Sequence, residues 1–269
     1  MSTSYCAILT IAGSDSGGCA GIQADIKSIS ANGGYAASVI TATTAQNTQG
    51  VTDIHPIPIP HIVMQMRTVL DDINFCAIKI GMLHSSEVIE AVRDTLEMYK
   101  ITNVVFDPVM IATSGDKLLN DDAVQSLKEF LPKVMLITPN IPEAELLIGH
   151  NIDLNNLETS AQELGELYHT SVLLKGGHLE LTDTMTDILY NYQNKKTTVI
   201  NNKTVETINT HGTGCSLSSS IATYIGLGFS LEEACIKGCE YLNMAIEKGK
   251  DKMLGKGHGP VNHFYRVVF

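Results

Sequence analysis

Short, continuously apolar runs recur along the 269-residue chain, at 7–12, 38–42, 77–80, 103–107, 134–138 and 171–175. Runs that are apolar throughout, rather than alternating, predict parallel strands buried on both faces. Between them the apolar positions follow helical spacing, over 20–32, 61–74, 86–99, 121–131, 141–147 and 157–168. Strand and helix in regular alternation predict βαβ crossovers, and so an α/β fold with a central, mainly parallel sheet flanked by helices on both faces.

The pattern changes after Lys175. Residues 186–209 read as a small antiparallel meander, with turns near Asn194-Lys195 and Asn201-Asn202. Two long helices are predicted beyond it, over 213–225 and 230–249. The sequence has no linker rich in Pro, Gly or Ser, no low-complexity tract and no internal repeat, so residues 1–269 are expected to form one domain. Ligands of such sheets gather at the carboxyl ends of the strands, and residues just after the strands become the candidates.

Composition narrows the partners. With 44% hydrophobic and 17% charged residues, the chain has material for a sizeable core. Its formal charge of −11 argues against nucleic acid or an anionic membrane surface as the main partner. It still permits an anionic substrate, held locally by backbone dipoles, a metal and one or two lysines. The cysteines, at 6, 19, 76, 215, 235 and 239, form no CxxC pair and point away from a zinc site. No apolar stretch approaches the ~20 residues that span a bilayer, and residues 1–6 lack the basic flank of a signal peptide. Reduced thiols in the cytoplasm are the expectation.

Among the candidates, His211-Gly-Thr-Gly-Cys215 precedes a predicted long helix. Gly212 and Gly214 permit close backbone approach, and a helix start presents unpaired N–H groups with partial positive charge, an anion hole for a transferring phosphoryl group. Equally, Gly-Thr-Gly turns the chain while Thr213 or Ser216 caps the helix. A thiol at a helix N-terminus is expected to have a lowered pKa, which would suit Cys215 as a general base; a small buried residue is the alternative. The Gly-rich segment 13–21 joins a strand to a helix but is neither GxGxxG nor GxxxxGK[ST]. Asp107 ends a strand. Asn140-Ile-Pro-Glu143 opens a helix, where Glu143 either complements the helix dipole or helps hold Mg²⁺ through water. Lys175 ends another strand before two glycines, where it either neutralises nucleotide phosphate or is simply a solvated charge.

Taken together, TIAGSDSGGCAGIQAD (10–25), SVITATTAQNTQGV (38–51), KIGML (79–83), DPVMIATSGDKLL (107–119), TPNIPEAELL (138–147), LLKGGH (173–178), NTHGTGCSLS (209–218) and GHGPVNHF (257–264) resemble the hydroxymethylpyrimidine/phosphomethylpyrimidine kinases of the ribokinase-like superfamily. The resemblance runs in order over nearly the whole length. It implies a ribokinase-like fold, ATP with Mg²⁺, a homodimer, and phosphorylation of a small aromatic hydroxymethyl substrate, then of its monophosphate, in thiamin synthesis. By the same resemblance Gln46 hydrogen-bonds the aminopyrimidine, a role that an amide's donor and acceptor suit. Gly13, Thr44, Met82 and Val109 line the pyrimidine pocket, with Thr44 where the family commonly has valine. Cys215 becomes the base, Gly212, Thr213 and Gly214 the anion hole, Asn140 and Lys175 ATP contacts, and Asp107 and Glu143 the metal positions. Thr113 departs from the lysine common in relatives. A pyridoxal or pyridoxine kinase of the same sequence group is the nearest rival, and a non-catalytic vitamin-binding protein the rival from another class.

Overall fold

A computed structural model describes residues 4–110, 121–176 and 184–267. Nine strands form one sheet: β1 (Ala7–Asp15), β2 (Tyr35–Asn47), β3 (Gly50–Pro56), β4 (Phe75–Ile80), β5 (Val104–Phe106), β6 (Leu136–Ile137), β7 (Ser171–Lys175), β8 (Thr184–Asn191) and β9 (Lys196–Lys203). Their order is β3-β2-β1-β4-β5-β6-β7-β8-β9. Every pair from β2 to β7 runs parallel, and the two ends of the sheet are antiparallel hairpins.

The helices are α1 (Gly21–Ala31), α2 (Ile59–Leu70), α3 (Ser86–Met98), α4 (Asp121–Phe130), α5 (Ile141–Ile148), α6 (Leu157–Tyr168), α7 (Thr213–Gly226) and α8 (Leu231–Glu247). Alternate residues of each strand feed two separate cores, because successive strand side chains point to opposite faces. Leu9, Ile78 and Phe106 pack with α2 to α6, while Ile8, Ala77 and Val105 pack with α1, α7 and α8. A strand clad on both sides has no polar face to show, which is why the central runs read as unbroken apolar stretches.

Local chemistry fixes several helix starts. At α5, Asn140 Oδ1 accepts the Glu143 N–H at 2.9 Å and the Glu143 carboxylate accepts the Asn140 N–H at 2.8 Å, a reciprocal capping box, with proline in the first turn. Ser230 and Glu233 build the same device at α8.

The meander expected over 186–209 is a two-stranded hairpin. The turn near Asn194-Lys195 forms, with Lys195 at φ 57° and the Lys196 N–H bonded to Asn194 Oδ1. Asn201 and Asn202 instead lie inside β9, where Asn201 pairs across the ladder with Thr186 and accepts its hydroxyl at 2.9 Å. A cross-strand partner has overridden the turn preference of asparagine.

Candidate active site

At the carboxyl ends of the parallel strands lies a cleft of about 640 Å³. All the candidate residues named from the sequence line it: Gly13, Thr44, Gln46, Met82, Asp107, Val109, Asn140, Glu143, Lys175, Gly212, Thr213, Gly214 and Cys215. Thr113 and His178 lie outside the described residues.

The floor is the first turn of α7. Gly212 takes the N-cap position in the left-handed region, φ 78°, and a Cβ there would meet the Cys19 carbonyl oxygen at 1.9 Å. Only glycine allows the α7 start to lie against the loop that follows β1. Thr213 and Ser216 do not cap the helix. The N-cap is Gly212 with no side-chain bond, and the Ser216 hydroxyl, inside the helix, donates to the Gly212 carbonyl and meets His263 Nε2 at 3.0 Å. A Cβ on Gly214 would stand 3.1 Å from Asp107 Oδ2 and 3.5 Å from Lys175 Nζ, so this turn faces the β5 and β7 ends directly.

There the charges are arranged tightly. Lys175 Nζ reaches Asp107 Oδ1 at 3.1 Å and Glu143 Oε2 at 4.0 Å, and Asp107 Oδ1 also accepts the Thr138 hydroxyl at 3.0 Å. Burial alone would lower the Lys175 ammonium, but the Asp107 and Glu143 carboxylates outweigh it and hold it above its ordinary value. Burial pushes the Glu143 carboxyl up to about 7, against the pull of Lys175 and with Asp107 adding repulsion. Two crowded carboxylates, one of them costly to ionise, make a donor set suited to a hard divalent cation.

Cys215 behaves differently from the sequence expectation. Its thiol is pushed up, not down, to about 11: burial dominates, while Lys79 and a backbone hydrogen bond from Gly21 pull the other way. The helix start supplies a favourable field, but the protein around the sulfur removes much of the water that would stabilise a thiolate, and that cost is the larger.

Sequence reasoning missed the support beneath this turn. Lys79 on β4 and Asp25 on α1 are both fully buried, and Lys79 Nζ lies 2.9 Å from each Asp25 oxygen. The Thr10 hydroxyl donates to Asp25 at 2.6 Å and the Ser219 hydroxyl at 2.7 Å. One charged knot thus joins β1, α1, β4 and α7, with Ser219 one helical turn beyond Cys215. Its signal was present in the sequence: a lysine inside an apolar strand and an acid on the apolar side of a helix.

At the opposite wall, the β1 loop is organised by Asp15, whose carboxylate accepts the N–H groups of Gly17, Cys19 and Ala20, each at 2.8 Å. Asp15, Cys19 and His211 bring their donor atoms within 4.8 Å of one another. Asp15 is already occupied with the loop backbone, so this grouping reads as loop architecture. Gln46 completes the wall: its Nε2 lies 2.9 Å from His211 Nε2, and its Oε1 accepts the Thr44 hydroxyl at 3.2 Å. Burial lowers the His211 pKa, keeping the ring neutral. Beyond Lys175 the cleft continues between Met185, Val205, Leu242 and Ile246, an apolar slot that no motif had indicated. Asp187 flanks it and accepts the Gly176 N–H at 3.1 Å.

The sequence pattern of a family described as phosphomethylpyrimidine kinase matches residues 15–262. The chain is 46% identical over 258 residues, 95% of its own length, to the thiamine biosynthesis bifunctional protein ThiED of Geobacter sulfurreducens, and spans 52% of that protein. It spans 34% of a ThiED multifunctional protein of Corynebacterium glutamicum, so these relatives are far longer than the part it resembles. With a hydroxymethylpyrimidine/phosphomethylpyrimidine kinase of Rhizobium meliloti the identity is 44%, covering 96% of this chain and 97% of the relative. Among solved structures, the phosphomethylpyrimidine kinase of Clostridium difficile superposes with a TM-score of 0.79 at 40% identity, covering 89% of this chain and 99% of that one. The Bacillus subtilis pyridoxal kinase, solved with ADP, gives 0.88 at 30% identity, covering 97% and 98%. The fold is therefore that of the ribokinase-like vitamin kinases, and a match unbroken from residue 15 to residue 262 makes this chain a member of the phosphomethylpyrimidine kinase family.

Proposed function

We propose that this chain transfers the γ-phosphoryl group of ATP to the hydroxymethyl oxygen of 4-amino-5-hydroxymethyl-2-methylpyrimidine, and then phosphorylates the monophosphate, in thiamin synthesis. The observation that carries the reading is the convergence of Gln46, Cys215 and the Gly212–Gly214 turn with Lys175 and Asp107 in one cleft. The apolar slot past Lys175 suits a purine base, and the chamber between Gln46 and Cys215 suits a small aromatic ring.

Phosphoryl transfer asks a protein mainly for positioning and for charge stabilisation. The Gly212-Thr213-Gly214 turn at the α7 start supplies the anion hole for the developing charge, Lys175 neutralises phosphate from the β7 side, and Asn140 presents its cap to the nucleotide. Asp107 and Glu143 would hold Mg²⁺, which when bound supplies charge neutralisation at the phosphate oxygens. Gly13, Thr44, Met82 and Val109 enclose the ring. The Cys215 thiol, raised to about 11, is mostly protonated, so its own proton leaves through the open cleft to solvent as substrate arrives. The thiolate so formed, favoured by the Lys79 cation, then takes the proton of the attacking hydroxyl.

Replacing Cys215 by alanine is expected to lower kcat by at least about 100-fold while nucleotide affinity, measured by calorimetry, stays within a few fold. An unchanged kcat would remove the thiol from the mechanism. Pyridoxal belongs beside the two pyrimidines in that assay, because the pyridoxal kinase superposes at 0.88; turnover of pyridoxal alone would move the substrate assignment to that ring.

Residues 1–269 act as one kinase domain in this proposal, a reading that the continuous nine-stranded sheet supports. The enzyme works in the cytoplasm, where six unpaired thiols stay reduced, and as a homodimer. Among the described residues no helix is long and apolar enough to cross a membrane.

A further inference from the structure

Gln46 is flanked by two groups that can each give or take a proton. The Thr44 hydroxyl lies 3.2 Å from Gln46 Oε1 and 3.0 Å from the Ser14 carbonyl oxygen. His211 Nε2 lies 2.9 Å from Gln46 Nε2. A hydroxyl is both donor and acceptor, and a neutral imidazole exchanges donor for acceptor by changing tautomer.

In the arrangement seen, Gln46 Nε2 donates to an unprotonated His211 Nε2, and Oε1 accepts from Thr44. Turned through half a revolution, the amide would place Oε1 against a protonated Nε2 of the other neutral tautomer. Its Nε2 would then donate to Thr44 Oγ1, whose own proton swings from Gln46 Oε1 to the Ser14 carbonyl oxygen, 3.0 Å away. The contacts of the Gln46 amide with Thr44 and with His211 Nε2 each keep one donor and one acceptor both ways. In each case one N–H and one lone pair of the amide remain for the cleft, but in opposite order.

That order matters if the hydroxymethyl group must face Cys215, since the ring cannot then turn round to suit the amide. A 4-amino ring presents a donor beside an unprotonated ring nitrogen. A 4-oxo ring presents an acceptor beside a ring N–H. We infer that the cleft accepts 5-hydroxymethylpyrimidines carrying either an amino or an oxo group at position 4, the Gln46 amide turning between Thr44 and His211 to match. The inference rests on the substrate reading proposed above.

Steady-state kcat/KM of the full chain with Mg-ATP, for 4-amino- and 4-oxo-5-hydroxymethyl-2-methylpyrimidine, tests it. A site with a fixed hydrogen-bonding sense rejects the mismatched edge by about 10⁴-fold; a turning amide is expected to hold the two rings within about 30-fold. Thr44→Val then discriminates, because it leaves the turned amide with an N–H facing a methyl group, while the unturned amide loses only one donor to a carbonyl oxygen. Orphaned N–H groups are the costlier of the two, so the ratio should move against the oxo ring by about fivefold or more. Thr44→Ser, which keeps the hydroxyl, should hold the wild-type ratio, and stands in should the valine variant fold poorly by comparison with Gln46→Ala, in which the preference between rings collapses. Rejection of the oxo ring by about 10⁴-fold overturns the inference, as does a ratio unmoved in Thr44→Val. If wild type phosphorylates neither ring, the substrate reading fails and this inference with it; if it phosphorylates the amino ring alone, only this inference fails.

Discussion

A single missing side chain shapes the α7 end of the cleft. Gly212 lies where any Cβ would collide with the Cys19 carbonyl, in a left-handed conformation that other residues adopt at a penalty. Gly212→Ala should push the α7 start away from the β1 loop and lower kcat/KM by about 100-fold or more, as when one preorganised donor is lost; activity near wild type would show that the turn needs no such fit. Glu143 carries a pH signature. Its folded pKa of about 7 stands above the ordinary 4.5, so the protonated form is the one favoured by folding. The stability it lends is full below pH 4.5 and is lost as pH rises through 7. In a chelator-containing buffer, urea unfolding of Glu143→Gln should therefore gain on wild type by a few kcal/mol between pH 4.5 and 7.5. A difference flat across that range would contradict the assigned burial.

At the scale of elements, the buried Lys79–Asp25 pair is what holds α7 over β1 and β4. Removing one partner strands a charge with no exposed surface, so Asp25→Ala should lose about 3–5 kcal/mol in urea unfolding. Asp25→Leu combined with Lys79→Met removes both charges and should lose clearly less; equal losses would mean the helix contacts matter more than the charge. Strands and helices were largely legible because each central strand is buried twice over and each helix once, which leaves distinct periodicities in the sequence. α6 and β7 coincide with the expected limits. β3 was not legible: all seven of its residues are exposed, and a strand without a buried face has no pattern to read. The site was legible only where strand ends carry glycine or charge. The slot beyond Lys175 is lined by Val205, Leu242 and Ile246, ordinary core residues whose exposure to a cleft is decided by tertiary packing alone. The Cys215 thiol was misjudged for the same reason, since the helix field is local while the desolvation depends on how the rest of the chain packs around it.

For the molecule as a whole, β3 is an edge strand whose outer side pairs with no other strand among the described residues, with Val51 and Ile54 exposed by 46% and 41% while also lining the cleft. An open edge with apolar residues is what a second copy would cover. Sedimentation is expected to give twice the 29.1 kDa of one chain, and a Val51→Glu, Ile54→Glu double variant to sediment as a single chain. A wild-type protein that sediments at the single-chain mass up to high concentration would remove the dimer.

The knot under α7 also sets the order in which this protein can be made. Ser219 closes onto Asp25 across 194 positions, and the same helix seals the sheet face around Ile8 and Ala77. A ribosome adding about 5–20 residues per second needs roughly 10–40 s to travel that distance. Throughout that interval α1 is the one helix of that face already made, so the nascent chain carries apolar surface that awaits α7 and α8, and chaperones have their longest opening there.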